Sequence, residues 1–188
     1  MKLVEYIKTI IPVTLEIEQE IINLAIRKTF PKNHQLILQG NVYRKLHFIE
    51  KGLVRVYYTT ADDKDITYRF VEEDSFVATL DSYISGRPSM YSMHTLEETT
   101  LFTISFNEFE MLLSKYLVLE KVHSFILRNG IEEMSRRLMA LQVQSAQERY
   151  SDLIKNQPSI LLRSPLGYIA SYLGISQETL SRIRRIEQ

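Results

Sequence analysis

Gln177, Glu178, Ser181, Arg182, Arg184 and Arg185 stand close together near the end of the chain. Side chains of these types can read and hold nucleic acid. A guanidinium bridges O6 and N7 of guanine, a carboxamide bridges N6 and N7 of adenine, and a carboxylate accepts from N4 of cytosine. On a helix, residues four apart share a face, so Arg182 lies above Glu178. Ser181 and Arg185 belong to that face, while Leu180 and Ile183 point the other way. Arg182 is the candidate for a guanine contact, and Gln177 and Glu178 for neighbouring bases. Arg184 and Arg185, further along, suit phosphate.

These residues need a helix held against a second one. Ser164-Pro165 supplies the cap and first-turn proline that open a helix, and Ile169, Ala170 and Leu173 form its apolar face. Gly174-Ile175-Ser176 then makes a tight turn, with glycine where a left-handed backbone is cheap. Ser176 caps the next helix, supported by Glu178 or Thr179. Leu180 and Ile183 face back, and small Ala170 permits a close crossing. This is the spacing of a helix-turn-helix. An ordinary helical hairpin with a polar outer face shares the bare helix–glycine–helix pattern. The small residue, the turn and the outward Gln-Glu and Ser-Arg pairs together favour DNA.

Upstream, the hydrophobic period changes twice. Residues 1–29 read as helical: a short helix at 3–10, Pro12 as a break, then a helix capped by Thr14. From Phe30 to Ile104, short β-rich runs alternate with turn residues: Gln35–Gln39, Leu46–Glu50, Leu53–Thr59, Ile66–Val71, Ser92–Leu96 and Leu101–Ile104. Such spacing predicts an antiparallel barrel or jelly roll. The Asp62-Asp63-Lys64-Asp65 run reads as a solvated hairpin tip. Ser105 with Glu108 makes a capping box. From Leu117 to about Gln147 runs a long helix, continuous through Asn129-Gly130. Its Leu127, Ile131, Met134, Leu138 and Leu141 are spaced as a heptad seam suited to a two-fold partner. The alternative is that this seam covers its own β-roll. Ala146–Lys155 is a further helix, and Pro158 interrupts.

The chain has 188 residues and no cysteine, which excludes disulfides, thiolate nucleophiles and cysteine-held metal centres. No run is long and apolar enough for a membrane span, and the N-terminus does not read as a signal peptide. A cytoplasmic location is the expectation. Residues 1–127 carry 14 Lys+Arg against 17 Asp+Glu, and residues 128–188 carry 9 against 6. An acidic body with a basic end suits a nucleic-acid partner.

Over nearly its whole length the sequence resembles the Crp/Fnr family of bacterial transcription regulators. The similar stretches are ILQGNVYRKLHFIEKGLVRVYY, DSFVATLDSY and LFTISFNEFEMLL in the β region, and YIASYLGISQETLSRIRR at the end. The resemblance implies an α+β fold: an antiparallel β-roll with N-terminal helices, a long dimerisation helix and a C-terminal helix-turn-helix. The expected divisions are 1–115 for the sensor, 116–147 for the dimer helix and 148–188 for the DNA-binding unit, with its β-hairpin wing short or absent. Double-stranded DNA and a second copy are the expected partners, and RNA polymerase is a candidate.

Family members that bind cyclic AMP carry a Gly-Glu pair for the ribose and an Arg-Ser or Arg-Thr pair for the phosphate. Here Phe76-Val77 is followed by Ala78 and Thr79, and the second pair falls on Ser89 and Met90. A shift of two residues brings Arg87 to that place, but the acid is still missing. Cyclic AMP is therefore not the expected effector, and no cofactor is implied.

His34, His47, His94 and His123 show no metal-ligand spacing, so no metal site and no catalytic residue is expected. Tyr57, Tyr58, Tyr68, Tyr83 and Tyr91, with Phe70 and Phe76, read as barrel core ahead of pocket lining. Arg136 and Arg137 read as solvating the long helix. Two rivals stand beside the regulator: a ligand-binding signalling module without DNA binding, and a cupin-like metal enzyme.

Overall fold

The computed structural model describes residues 2–186. Helices α1 (Leu3–Lys8) and α2 (Leu15–Leu24) open the chain. Eight strands follow: β1 (Ile26–Phe30), β2 (Gln35–Ile37), β3 (Lys45–Lys51), β4 (Val54–Thr59), β5 (Asp65–Val71), β6 (Ser75–Val77), β7 (Ser92–Thr95) and β8 (Thr99–Ser105). A short helix α3 (Leu80–Ser85) separates β6 from β7. Then come α4 (Phe106–Lys115), a 3-10 turn at Leu117–Leu119, α5 (Glu120–Val143), α6 (Ala146–Asn156), α7 (Ile160–Arg163), α8 (Leu166–Leu173) and α9 (Gln177–Ile186).

The strands form two antiparallel sheets, ordered β1-β8-β3-β6 and β2-β7-β4-β5. Between them lie Ile37, Ile49, Val54, Val56, Val71, Val77, Met93 and Leu101. The alternation of β3 sends Leu46 and Phe48 to the other side, against α1, α2, α4 and the start of α5. Burying such side chains stabilises the fold by about 1.5–3 kcal/mol each. The outer face of the second sheet is covered too. Leu53, Phe70 and Leu96 share a core with Tyr150, Leu153, Ile160, Ile169, Leu173 and Leu180 of the C-terminal helices. The C-terminal unit is thus docked on the roll.

The Thr14 cap, the Ser105–Glu108 capping box and the exposed hairpin tip at 61–65 stand as expected. Four local readings are corrected. Ile26–Thr29 is strand, because Ala25 ends α2 in extended backbone and β1 pairs with β8. The second helix therefore stops at Leu24. Helix α3 and strand β6 lie where only loop and roll were expected. Ser164 does not cap α8: Pro165 holds the cap position, and the Ser164 hydroxyl is buried without a hydrogen-bond partner.

Helix α5 is unbroken at Asn129-Gly130. Gly130 is a notch there, since a Cβ would come within 2.9 Å of Leu80 Cδ1 on α3. Glycine lets the helix pass close to the roll.

Candidate nucleic-acid interface and effector cavity

Helices α8 and α9 meet through Ile169, Ala170, Leu173, Leu180 and Ile183, all buried. Gly174 takes φ 69°, and the Ile175 amide donates to Ala170 O at 3.0 Å, closing the turn. Ser176 Oγ accepts from the Thr179 amide at 3.2 Å, which caps α9. Arg149 Nε donates to Leu173 O at 3.0 Å, so a cation closes the C-terminal end of α8.

On the other side of α9, Gln177, Glu178, Arg182 and Arg185 are exposed, and Ser181 and Arg184 are half-buried. Among the described residues no carboxylate pairs with Arg182, Arg184 or Arg185. Arg182 donates only to Thr179 Oγ1, at 3.3 Å. Gln177 leans across Gly167 at the start of α8, where a Cβ would meet its Nε2 at 2.7 Å. The six candidate residues thus lie along one helix, and all but Gln177 keep the outward placement of the sequence pattern.

The contact between α8 and the roll is polar at its centre, and sequence pattern gives no sign of it. Strand β4 alternates, so Val54 and Val56 face inward and Arg55 outward. That outward face is covered: Arg55 is 0% exposed. Its guanidinium stacks 3.8 Å from the Tyr168 ring centre and 4.3 Å from that of Tyr57. Arg55 Nε donates to Thr67 Oγ1 at 2.8 Å, and Nη1 lies 3.7 Å from Asp65. Beside it, burial first and then the Arg55 charge push His94 down to about 4, so the ring is neutral.

Arg163 of α7 reaches three carboxylates of the roll: Glu73 at 2.7 Å, Glu97 at 2.6 Å and Glu72 at 3.5 Å. Ser159 also hydrogen-bonds Glu72. Burial pushes the Glu73 carboxyl up, but hydrogen bonds from Arg163 and from backbone amides outweigh it and hold the group below its ordinary value. The edge strand β5 is met directly. Ser171 Oγ accepts from the Thr67 amide at 2.9 Å, and Arg137 donates to Thr67 O at 3.3 Å and Tyr172 O at 2.9 Å. Arg137 therefore joins roll to helix-turn-helix, whereas Arg136 is exposed as expected.

Along α5, Ile131 is 65% exposed, Met134 55%, Leu138 58% and Leu141 46%. Leu127 is half-buried. The roll of the same protomer does not cover this seam.

A second feature is a cavity of about 480 Å³ between the roll, α3 and α5. Ala78, Thr79 and Met90 line it, with Tyr68 and Tyr91. Ser89 does not: it is buried, and its hydroxyl donates to Asp81 Oδ1 at 3.2 Å and Tyr91 O at 3.1 Å. Arg87 is exposed and outside the lining. The tyrosines divide accordingly. Tyr57 and Tyr83 are buried with Phe70 as core, while Tyr68 and Tyr91 form a cavity wall with ring centres 4.9 Å apart.

His47 is fully engaged, with Nε2 on Tyr43 OH at 2.8 Å and Nδ1 on Thr103 Oγ1 at 2.7 Å. Burial and the nearby Lys45 charge push it down to about 3. Among the described residues no three His, Asp or Glu side chains gather as metal ligands, and no helix is long and apolar enough to cross a membrane.

Residues 27–116 match the cyclic nucleotide-binding domain family. No curated protein sequence matches the chain at a significant level. Among solved structures, FixK2 from Bradyrhizobium japonicum is similar, with a TM-score of 0.76 at 15% identity over 86% of this chain and 83% of that one. A structure from Eubacterium rectale, described as a transcriptional regulator of the Crp/Fnr family, reaches 0.73 at 15% identity over 95% and 87%. CLP from Xanthomonas campestris, a c-di-GMP responsive global regulator, reaches 0.69 at 15% identity over 93% and 92%. The β-roll is therefore similar to the cyclic nucleotide-binding domain, and the chain as a whole has the fold of the Crp/Fnr regulators.

Proposed function

We propose that the protein is a DNA-binding transcription regulator that acts as a homodimer in the cytoplasm and does not respond to cyclic AMP. One observation carries the DNA assignment. Helix α9 buries Leu180 and Ile183 and turns Glu178, Arg182 and Arg185 to solvent, with no carboxylate against either arginine among the described residues. Buried and outward residues thus sit where a recognition helix needs them. The exposed seam Ile131, Met134, Leu138 and Leu141, continued by half-buried Leu127, supports a two-fold partner. Such a dimer offers two recognition helices to successive major grooves about 34 Å apart.

The cyclic AMP assignment rests on the cavity. Thr79 supplies no carboxylate for a ribose, and Met90 supplies no charge for a phosphate. The one arginine in the lining, Arg69, already pairs with Glu133 at 2.7 Å.

Selection of bound sequences from random double-stranded DNA, followed by titration of the selected site, tests the assignment. An enriched, two-fold-symmetric site is expected. Retention of random DNA without enrichment, or no retention at all, overturns it. Calorimetry with cyclic AMP is expected to show no micromolar binding, and micromolar affinity would overturn the second part.

A further inference from the structure

We propose that the cavity between the roll, α3 and α5 binds a small, uncharged, largely apolar molecule held by one hydrogen bond to Thr79. This deepens the reading of the β-roll as a sensor. It stands or falls independently of DNA binding, because the test below contains no DNA.

The size is right for such a ligand. A cavity of about 480 Å³ lies within the range of about 300–1,000 Å³ usual for small-molecule sites. Its walls are mostly apolar or aromatic, from Tyr68, Leu80, Ile84, Met90, Tyr91 and Met134. The charged groups in the lining are already engaged. Arg69 pairs with Glu133. Asp81 accepts from the Met90 amide at 2.6 Å and from Ser89 Oγ at 3.2 Å, which fixes the loop at the rim. An anion entering here would meet two carboxylates and one arginine that is already neutralised. Burial pushes the Glu133 carboxyl up, against the lowering effect of Arg69, so this wall is a poor host for further negative charge.

Among the uncharged lining residues, one buried hydroxyl is left over. Thr79 lines the cavity and is 2% exposed, and its Oγ1 has no hydrogen-bond partner. A buried hydroxyl without a partner is costly, and native structures satisfy nearly all such groups. A ligand donor or acceptor at this point removes that cost and adds direction to an otherwise apolar site. The opposite wall contains Gly130, Glu133 and Met134 of α5, and Met134 also belongs to the exposed seam. An occupant therefore touches the helix that carries the proposed dimer contact.

The probe is N-phenyl-1-naphthylamine, a neutral fluorophore with a single N–H, titrated into the full chain. Saturable binding at one site per chain is expected. Anilinonaphthalene sulfonate, its anionic relative, and cyclic AMP are expected not to displace it. Ala78→Phe fills the cavity and is expected to abolish binding. Met90→Glu puts a charge at the rim on a residue that is 61% exposed, so folding is spared, and binding is expected to fall at least tenfold. Thr79→Val keeps the shape and removes the hydroxyl, and is expected to weaken binding about threefold to tenfold while leaving thermal stability unchanged or higher. The proposal is overturned if no saturable binding occurs, or if either anion competes as well as the neutral probe. It is also overturned if binding survives Ala78→Phe and Met90→Glu and is lost instead in Leu138→Glu, which would place the probe on the seam.

Discussion

The C-terminal third presents two kinds of surface, and they use the same residue types in opposite ways. Against the roll and within the C-terminal unit, arginines have fixed partners: Arg163 holds three carboxylates, Arg149 closes α8, and Arg137 bridges two carbonyls. Arg55 answers them from the roll, stacked between two tyrosines. On the face toward solvent, Arg182, Arg184 and Arg185 have no carboxylate partner among the described residues, and Met134, Leu138 and Leu141 of α5 are uncovered. A cation whose fork is filled by carboxylates or helix carbonyls holds a fold together. One left open is available to a polyanion. The comparison therefore predicts that the inner face governs stability and the outer face governs association.

The largest expected effect is on assembly. Leu138→Glu places a charge in the exposed seam, and sedimentation is expected to show monomers with an unchanged far-ultraviolet spectrum. A mutant that stays dimeric would remove the seam from the open surfaces. Next is Arg55→Ala, which empties a fully covered site between Tyr57 and Tyr168. It is expected to cost about 2–4 kcal/mol in denaturant unfolding. Arg163→Ala leaves three glutamates facing one another. Because these carboxylates are partly exposed and screened, about 1–2 kcal/mol is expected.

On the outer face, Arg182→Ala is expected to leave the melting temperature unchanged. It should cost about 1–3 kcal/mol at one base position per half-site. Arg185→Ala should instead weaken all sequences alike and lower the salt slope by about one unit, as loss of a phosphate contact does. Titration of both mutants against one operator, its single-base variants and unrelated DNA separates the two. A stability change from Arg182→Ala, or none from Arg163→Ala, would dissolve the division between the faces.

A further effect is pH dependence, set by two buried histidines: His47 within the roll and His94 beside Arg55. His94 and His47 are held neutral in the fold, at about 4 and about 3, against about 6.5 when unfolded. As pH falls below 6.5 the unfolded chain takes up protons that the native state refuses, so stability declines. Glu73, held below its ordinary value, adds a loss only as pH falls further, through the carboxylate range. Unfolding curves from pH 7 to 4 are expected to show this decline, and His94→Asn is expected to lessen it, leaving the His47 part.

The helix-turn-helix was legible because its determinants are local. The turn at Gly174, the cap at Ser176 and the apolar positions of α8 and α9 all lie within one short segment. The β-roll was legible from its alternation, apart from β1 and β6. Ile26-Arg27-Lys28-Thr29 is almost wholly exposed, so its apolar content reads as the tail of α2 and only pairing with β8 makes it a strand. Arg55 was not legible as buried, because alternation assigns it to the outer face and says nothing of what covers that face. Glu72, Glu73 and Glu97 lie far from Arg163 in sequence, and nothing near any of them announces the cluster. The residue types where the resemblance puts the acid and the arginine were legible, but not that Ser89 turns away from the cavity. The cavity that replaces them was not, since its wall on α5 is fixed by how Gly130 passes Leu80.

The contact of Ser171 and Arg137 with Thr67 has one further consequence. Strand β5 is the last of its sheet, and Ser171 of α8 and Arg137 of α5 supply the partners for the Thr67 amide and carbonyl. Were the C-terminal unit to swing away, that margin would become a template for strand addition by another chain. The docked arrangement thus keeps that edge closed to strand addition.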